Sequence, residues 1–272
     1  VKLGVTTDEP VITIGADSAP IDELLKLNEG VLEDVYPTRA GKSAAVKAIS
    51  WRKRSPAVCR HKTARPRVVI PVFPGTNCEY DSARACLRAG LEPEILVVRN
   101  LTAADLEESA LALEKAIRKA QILFLPGGFS GGDEPDGSAK FICSFLRNPR
   151  LTDAVHDLLK KRDGLMLGIC NGFQALIKLG LVPYGEIRPI DESCPTLTFN
   201  TLHRHQSMLV TTRVASTLSP WLAKCEPGAL HTIAISHGEG RFVASPQLLA
   251  QLRDAGQIAT QYTTPDGVPS MD

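Results

Sequence analysis

Four short apolar runs separated by helix-patterned stretches constrain this chain more than any other feature. They are Val68-Val69-Ile70-Pro71-Val72-Phe73, Glu94-Ile95-Leu96-Val97-Val98, Ile122-Leu123-Phe124-Leu125 and Leu165-Met166-Leu167-Gly168-Ile169. A strand that is apolar throughout needs cover on both faces, and a parallel sheet wrapped by crossover helices supplies it. Between the runs the pattern predicts helices over 82–89, 103–119, 138–147 and 151–161. Asp81 suits the N-cap of the first of these and Gly90 its C′ position. The expected fold class is α/β: a flavodoxin-like, doubly wound, mainly parallel sheet. After residue 190 the grammar changes. Segments 206–214, 231–236 and 258–263 read as strands, added antiparallel.

The remaining sequence bounds the chemistry. The 272 residues are 43% hydrophobic and 22% charged, an ordinary globular composition that excludes a disordered or collagen-like chain. No run of about 18 apolar residues is present, so no membrane partner is expected. No basic region followed by an apolar stretch and a small-residue cleavage site is visible. Seven cysteines, at 59, 78, 86, 143, 170, 194 and 225, form no CxxC pair. That spacing argues against a disulfide framework or a zinc ribbon and for reduced thiols in a cytoplasmic protein, with no metal site.

Charge is distributed unevenly. Residues 1–37 carry 2 basic and 8 acidic side chains, residues 38–67 carry 10 basic and none acidic, and the whole chain has net charge +1. The basic stretch holds Trp51 as its one aromatic residue, so base stacking has little to work with and no nucleic-acid partner is expected. With Pro37, Gly41, Pro56 and Pro66 it reads as a solvated linker, 38–67, lying on an acidic neighbouring surface ahead of a domain at 68–272. The first 37 residues offer a strand at 11–15 and a short amphipathic helix at 21–27, too little to bury a core. They read as the tail of something larger.

Ligands of doubly wound sheets sit beyond the carboxyl ends of the strands. Two loops stand there. Gly168-Ile169-Cys170-Asn171-Gly172 has the form of a nucleophile elbow, with glycines two positions either side of the nucleophile permitting a tight strand-to-helix turn. A cysteine at a helix N-terminus meets exposed N–H groups and the positive end of the dipole, which favour the reactive thiolate. The bland alternative is a structural cysteine buried at a strand end. The second loop, Pro126-Gly127-Gly128-Phe129-Ser130, offers backbone N–H groups for an oxyanion, with the N–H of Asn171 as a further donor. A phosphate-binding glycine loop is the competing reading, and the missing Gly-Lys-Ser/Thr argues against it.

Together these residues resemble the class I glutamine amidotransferase family. Pro74-Gly75-Thr76-Asn77-Cys78-Glu79, the continuation Gly131-Gly132-Asp133-Glu134-Pro135-Asp136-Gly137-Ser138, and Ser236-His237-Gly238-Glu239-Gly240-Arg241 narrow the likeness to the phosphoribosylformylglycinamidine synthases of purine biosynthesis, from about residue 66 onward. The resemblance implies that Cys170 attacks the side-chain amide of L-glutamine, forming a glutamyl thioester and releasing ammonia. Gly127, Gly128 and Asn171 would line the oxyanion site, Gln174 would help hold the substrate, and Phe129 and Ser130 would border the pocket. It also implies a synthetase domain of the same polypeptide as partner, which binds ATP and Mg2+, no cofactor in the glutaminase domain itself, and residues 1–37 as the last piece of that synthetase region.

One departure from the family pattern matters. The family takes its base and orienting carboxylate from a His-Pro-Glu segment, and none occurs in residues 1–272. His237 and Glu239 have the right chemistry for base and orienter but match the earlier His-Gly-Glu-Gly-Arg motif. The expectation is therefore a chain whose triad His and Glu lie beyond residue 272, incomplete at its C-terminus and a weak glutaminase alone. Two other readings use the same elbow: a hydrolase or chaperone of the intracellular-protease type, and a non-catalytic docking module that has kept the glutaminase fold. The remaining histidines, His61, His156, His203, His205 and His231, show no ligand pattern.

Overall fold

The computed structural model describes residues 3–38, 45–53, 55, 58–59, 62–130 and 138–270. At the front, β1 (Val11–Ile14) pairs antiparallel with β2 (Asp17–Pro20), and α1 (Ile21–Gly30) follows directly. No residue of α1 is buried, and Leu24, Leu25 and Leu27 lie exposed on it.

The central sheet is built from β3 (Arg67–Val72), β4 (Glu92–Val97), β5 (Ile122–Leu125) and β6 (Leu165–Gly168), all parallel, in spatial order β4-β3-β5-β6. The chain winds outward from β3 to β4, then returns to place β5 on the other side of β3. The switch point of this doubly wound fold therefore lies between the ends of β3 and β5. Strand periodicity of two sends Val69, Leu123 and Leu125 to one face and Val68, Ile70, Ile122 and Phe124 to the other. The first face carries the larger core, shared with α3 (Ala103–Lys119), α4 (Lys140–Leu146), α5 (Pro149–His156) and α6 (Asn171–Leu179). Phe73 anchors it, edge-on to both Phe141 and Phe145. On the second face, Ala83 and Cys86 of α2 (Glu79–Arg88) meet the strand residues.

The sequence pattern placed these strands to within two residues. α2 differs: Cys78, not Asp81, occupies its N-cap, because the turn after β3 is tighter than the acidic residue implied. The helix expected over 151–161 divides into α5 and a π-helical turn, Asp157–Lys161. Thr102 and Asp105 form a reciprocal capping box that starts α3 at Ala103. Gly90 and Gly180, at φ 80° and 86°, close α2 and α6.

Beyond α6 come α7 (Leu181–Tyr184) and β7 (Thr196–Thr198). The expected antiparallel strands follow: β8 (Gln206–Val214) is flanked by β9 (Leu230–His237) and by a later strand at Thr260–Thr263. β10 (Arg241–Val243) returns to pair with β7, α8 (Pro246–Asp254) follows, and the strand at Thr260–Thr263 is β11.

Part of the basic stretch lies against the antiparallel sheet. Trp51 N–H donates to Ala215 C=O at 2.7 Å, Ile49 N–H to Gln261 Oε1 at 2.7 Å, and Arg213 to Ile49 C=O at 2.6 Å. The Trp51 ring fills the space beside Gly256, where a Cβ would lie 2.6 Å from it. Residues 47–51 thus form a strap over the β8–β11 sheet.

Candidate active site

Cys170 stands between β6 and α6 as the N-cap of the helix, with φ 52° and ψ −110°. A non-glycine residue at positive φ is strained and persists only where its surroundings impose it. Two glycines impose it here. A Cβ on Gly168 would lie 2.6 Å from Gly172 C=O, and one on Gly172 would lie 2.0 Å from Leu125 C=O. Strand, elbow and helix pack backbone against backbone, so Cys170 is pushed out of the sheet and is exposed to solvent. The elbow reading describes this geometry; a cysteine sealed in the core does not.

The glycine loop after β5 lies beside the elbow. A Cβ on Gly127 would sit 3.3 Å from Cys170 Cβ. Gly128, at φ 136°, pairs with Thr76 of the loop after β3: Phe129 N–H donates to Gly75 C=O at 2.9 Å and Asn77 N–H to Gly127 C=O at 3.3 Å. Among the described residues, the N–H groups of Gly127 and Gly128 donate to no backbone acceptor. Phe129 is exposed, while Ser130 is fully buried with its hydroxyl unpartnered among the described residues.

A continuous hydrogen-bond chain braces the site from behind. Ser130 N–H donates to Asn171 Oδ1 at 3.2 Å, Asn171 Nδ2 to Gln174 Oε1 at 3.0 Å, and Gln174 Nε2 to Glu239 C=O at 2.8 Å. Glu239 Oε2 then accepts from Ser138 N–H at 3.3 Å. Ser130 and Ser138 are thereby tied to α6 and to the segment after β9. The Gln174 side chain, buried with both ends of its amide bonded within the protein, faces its neighbours in this chain.

His237 sits elsewhere than a base–orienter pair requires. Its Nδ1 is 3.0 Å from Asn200 Oδ1, its Nε2 is buried with no partner among the described residues, and its ring lies over Gly240. Glu239 does not orient it, because the carboxylate is turned away to Ser138. No hydrogen bond joins Cys170 to a histidine among the described residues. Burial and the neighbouring His205 push the His237 pKa below the usual histidine value. Asn200 has no signal in the sequence, yet it also donates to the carbonyls of His237 and Arg204 and so sets this turn. Cys78, part of the Pro74–Glu79 motif, is a neighbour of the elbow to which the motif gave no role: a Cβ on Gly127 would lie 3.5 Å from its sulfur. Burial first, then the charge of Cys170, raises the Cys78 pKa. Among the described residues no group of three or more His, Cys, Asp or Glu is placed to hold a metal ion. No helix among them is long and apolar enough to cross a membrane.

A family model described as the CobB/CobQ-like glutamine amidotransferase domain matches residues 65–272. The chain belongs to the glutamine amidotransferase family. Among the relatives of this amidotransferase are phosphoribosylformylglycinamidine synthase subunits PurQ. That of Rubrobacter xylanophilus is 32% identical over 198 residues, covering 72% of this chain and 75% of the relative. That of Symbiobacterium thermophilum is 33% identical over 204 residues, covering 74% and 73%. The solved structure of PurLQS from Thermotoga maritima superposes with TM-score 0.54 at 23% identity, over 76% of this chain and 80% of that one. At that identity it shows the shared fold, an amidotransferase sheet with antiparallel additions.

Proposed function

We propose that this amidotransferase is the glutaminase part of a phosphoribosylformylglycinamidine synthase, releasing ammonia from L-glutamine through a thioester on Cys170. The observation that carries the reading is the strained, exposed elbow placing Cys170 against Gly127. The Cys170 thiolate attacks the side-chain amide carbon, and the carbonyl oxygen takes the negative charge. Gly127, Gly128 and Asn171 line the oxyanion site in this reading, supported by the N–H groups of the two glycines, which donate to no backbone acceptor among the described residues. Such donors lower the barrier by about 2.7–4 kcal/mol each. Collapse of the tetrahedral adduct expels ammonia, which needs a proton, and water then hydrolyses the glutamyl thioester. Gly127 lets substrate approach the sulfur, while Phe129 and Ser130 border the pocket. Gln174 serves the pocket by fixing Asn171 and Glu239.

His237 and Glu239 brace the site and do not carry the proton. That role falls to a His-Pro-Glu segment outside residues 1–272, as the family resemblance implies. Ammonia then passes to a synthetase partner that holds ATP and Mg2+; the glutaminase step itself uses neither. Residues 1–37 belong to that synthetase region and 38–67 join it to the glutaminase domain, 68–272, which fits the exposed apolar side chains of α1.

The test is glutamine-dependent ammonia release together with labelling by a glutamine-mimicking chloroketone. Cys170→Ala should abolish both. A version extended through a His-Pro-Glu segment should turn over glutamine faster than residues 1–272. Equal rates would reject the assignment of the proton carrier, and labelling that glutamine does not slow would favour the intracellular-protease type of chemistry.

A further inference from the structure

The reaction above leaves the second thiol beside the elbow unused. Cys78 caps α2 at the end of the loop after β3, and Cys170 caps α6 after β6. Gly127 separates them: the position its Cβ would occupy is 3.3 Å from Cys170 Cβ and 3.5 Å from Cys78 Sγ. Both distances run to one point, so the two cysteines flank a position that carries no side chain. Cys78 Sγ is held by Asn77 Oδ1 at 3.1 Å, a single weak bond. Cys86 and Cys143, by contrast, are buried in the two cores.

We infer that Cys78 and Cys170 are a redox pair, which a hydroperoxide converts into an intramolecular disulfide that closes the site reversibly. The Cys170 thiolate attacks one oxygen of hydrogen peroxide, the O–O bond breaks, and the departing hydroxide leaves as water after taking up a proton. Cys170 is then a sulfenic acid. The Cys78 thiol loses its proton and attacks the sulfenic sulfur; the S–S bond forms and the hydroxyl departs with that proton as a second water. Two electrons pass from the two thiols to the peroxide. A dithiol reverses the step by exchange. The charge on Cys170 is one of the causes that keep Cys78 protonated, and conversion of Cys170 to the neutral sulfenic acid removes it. The second thiol is thus eased toward reaction once the first has been oxidised.

The pairing stands on the geometry of the two thiols; its effect on turnover rests on the reading of Cys170 as nucleophile. The test treats residues 1–272 with a small excess of hydrogen peroxide, blocks free thiols under denaturing conditions, and maps the digest by mass spectrometry. The expected result is a linked pair of peptides carrying Cys78 and Cys170, lost on treatment with dithiothreitol. In Cys78→Ser, Cys170 should accumulate as sulfinic acid several-fold faster and resist dithiothreitol. Absence of the linked pair in the unaltered chain, or linkage of Cys170 to a different cysteine, overturns the inference whatever the variant does. If the link forms while an active form of the protein keeps its ammonia release, the disulfide stands and the reading of Cys170 as nucleophile fails.

Discussion

Strain at one residue organises the site. Cys170 occupies a backbone region that the close packing at Gly168 and Gly172 imposes, and the chemistry proposed for it depends on that conformation. Gly128 carries a similar burden, since a Cβ there would lie 2.4 Å from Gly75 C=O at φ 136°. Gly128→Ala should therefore displace the proposed oxyanion donor and lower kcat by about 10²–10³-fold, measured as steady-state ammonia release in a version carrying the His-Pro-Glu segment. The thiols should also differ in reactivity. Burial pushes Cys143 up to about 11, whereas Cys170 is exposed at a helix N-terminus. Iodoacetamide applied to the native protein at neutral pH should modify Cys170 and spare Cys143, read by peptide mass mapping. His237 titrates in the opposite sense to a salt-bridged histidine. Its folded pKa lies below the unfolded value of about 6.5, so the unfolded chain takes up the proton first. The stability it confers is complete above that value and is lost as pH falls below it. Melting temperature should drop between pH 7.5 and 5.5, and His237→Gln should flatten the drop.

Elements meet at the site through polar side chains. α6, the loop after β5 and the turn after β9 are joined by the chain from Ser130 through Asn171 and Gln174 to Glu239. Gln174→Ala would leave Asn171 Nδ2 and the Glu239 carbonyl without their bonds in a buried setting. A loss of about 1–3 kcal/mol is expected by denaturant titration. Gln174 was readable as part of the motif one helical turn past the nucleophile. Its bracing role was not, because Glu239 lies 65 residues away and reaches it through a carbonyl that any residue possesses. By contrast, the long helix Ala103–Lys119 was legible to its ends from its run of Ala, Leu, Glu and Lys, and the Thr102–Asp105 capping box fixes its start locally. The short strands β7 and β10 escaped, since three residues carry too little periodicity to register.

The whole molecule joins a covered parallel sheet to an antiparallel extension, with residues 47–51 strapped across the latter. The strap lies 164 residues before its partner Arg213 and 212 before Gln261, and charge alone does not say which surface it meets. Trp51 fixes that surface: its ring occupies the space beside Gly256 and its backbone joins Ala215. Trp51→Ala should lower stability by about 1–3 kcal/mol in thermal melts, although it lies ahead of the domain boundary read from the sequence.

Local pattern alone determined the parallel sheet, its flanking helices, the elbow and the glycine loop, because burial periodicity, capping residues and tight glycine turns act over a few residues of chain. Tertiary structure alone decided which distant groups meet. Cys78 beside Gly127, Asn200 beside His237, Glu239 turned to Ser138 and Trp51 of the strap beside Gly256 all join positions far apart in the chain, and no periodicity along the backbone encodes a contact that exists only after the layers have closed.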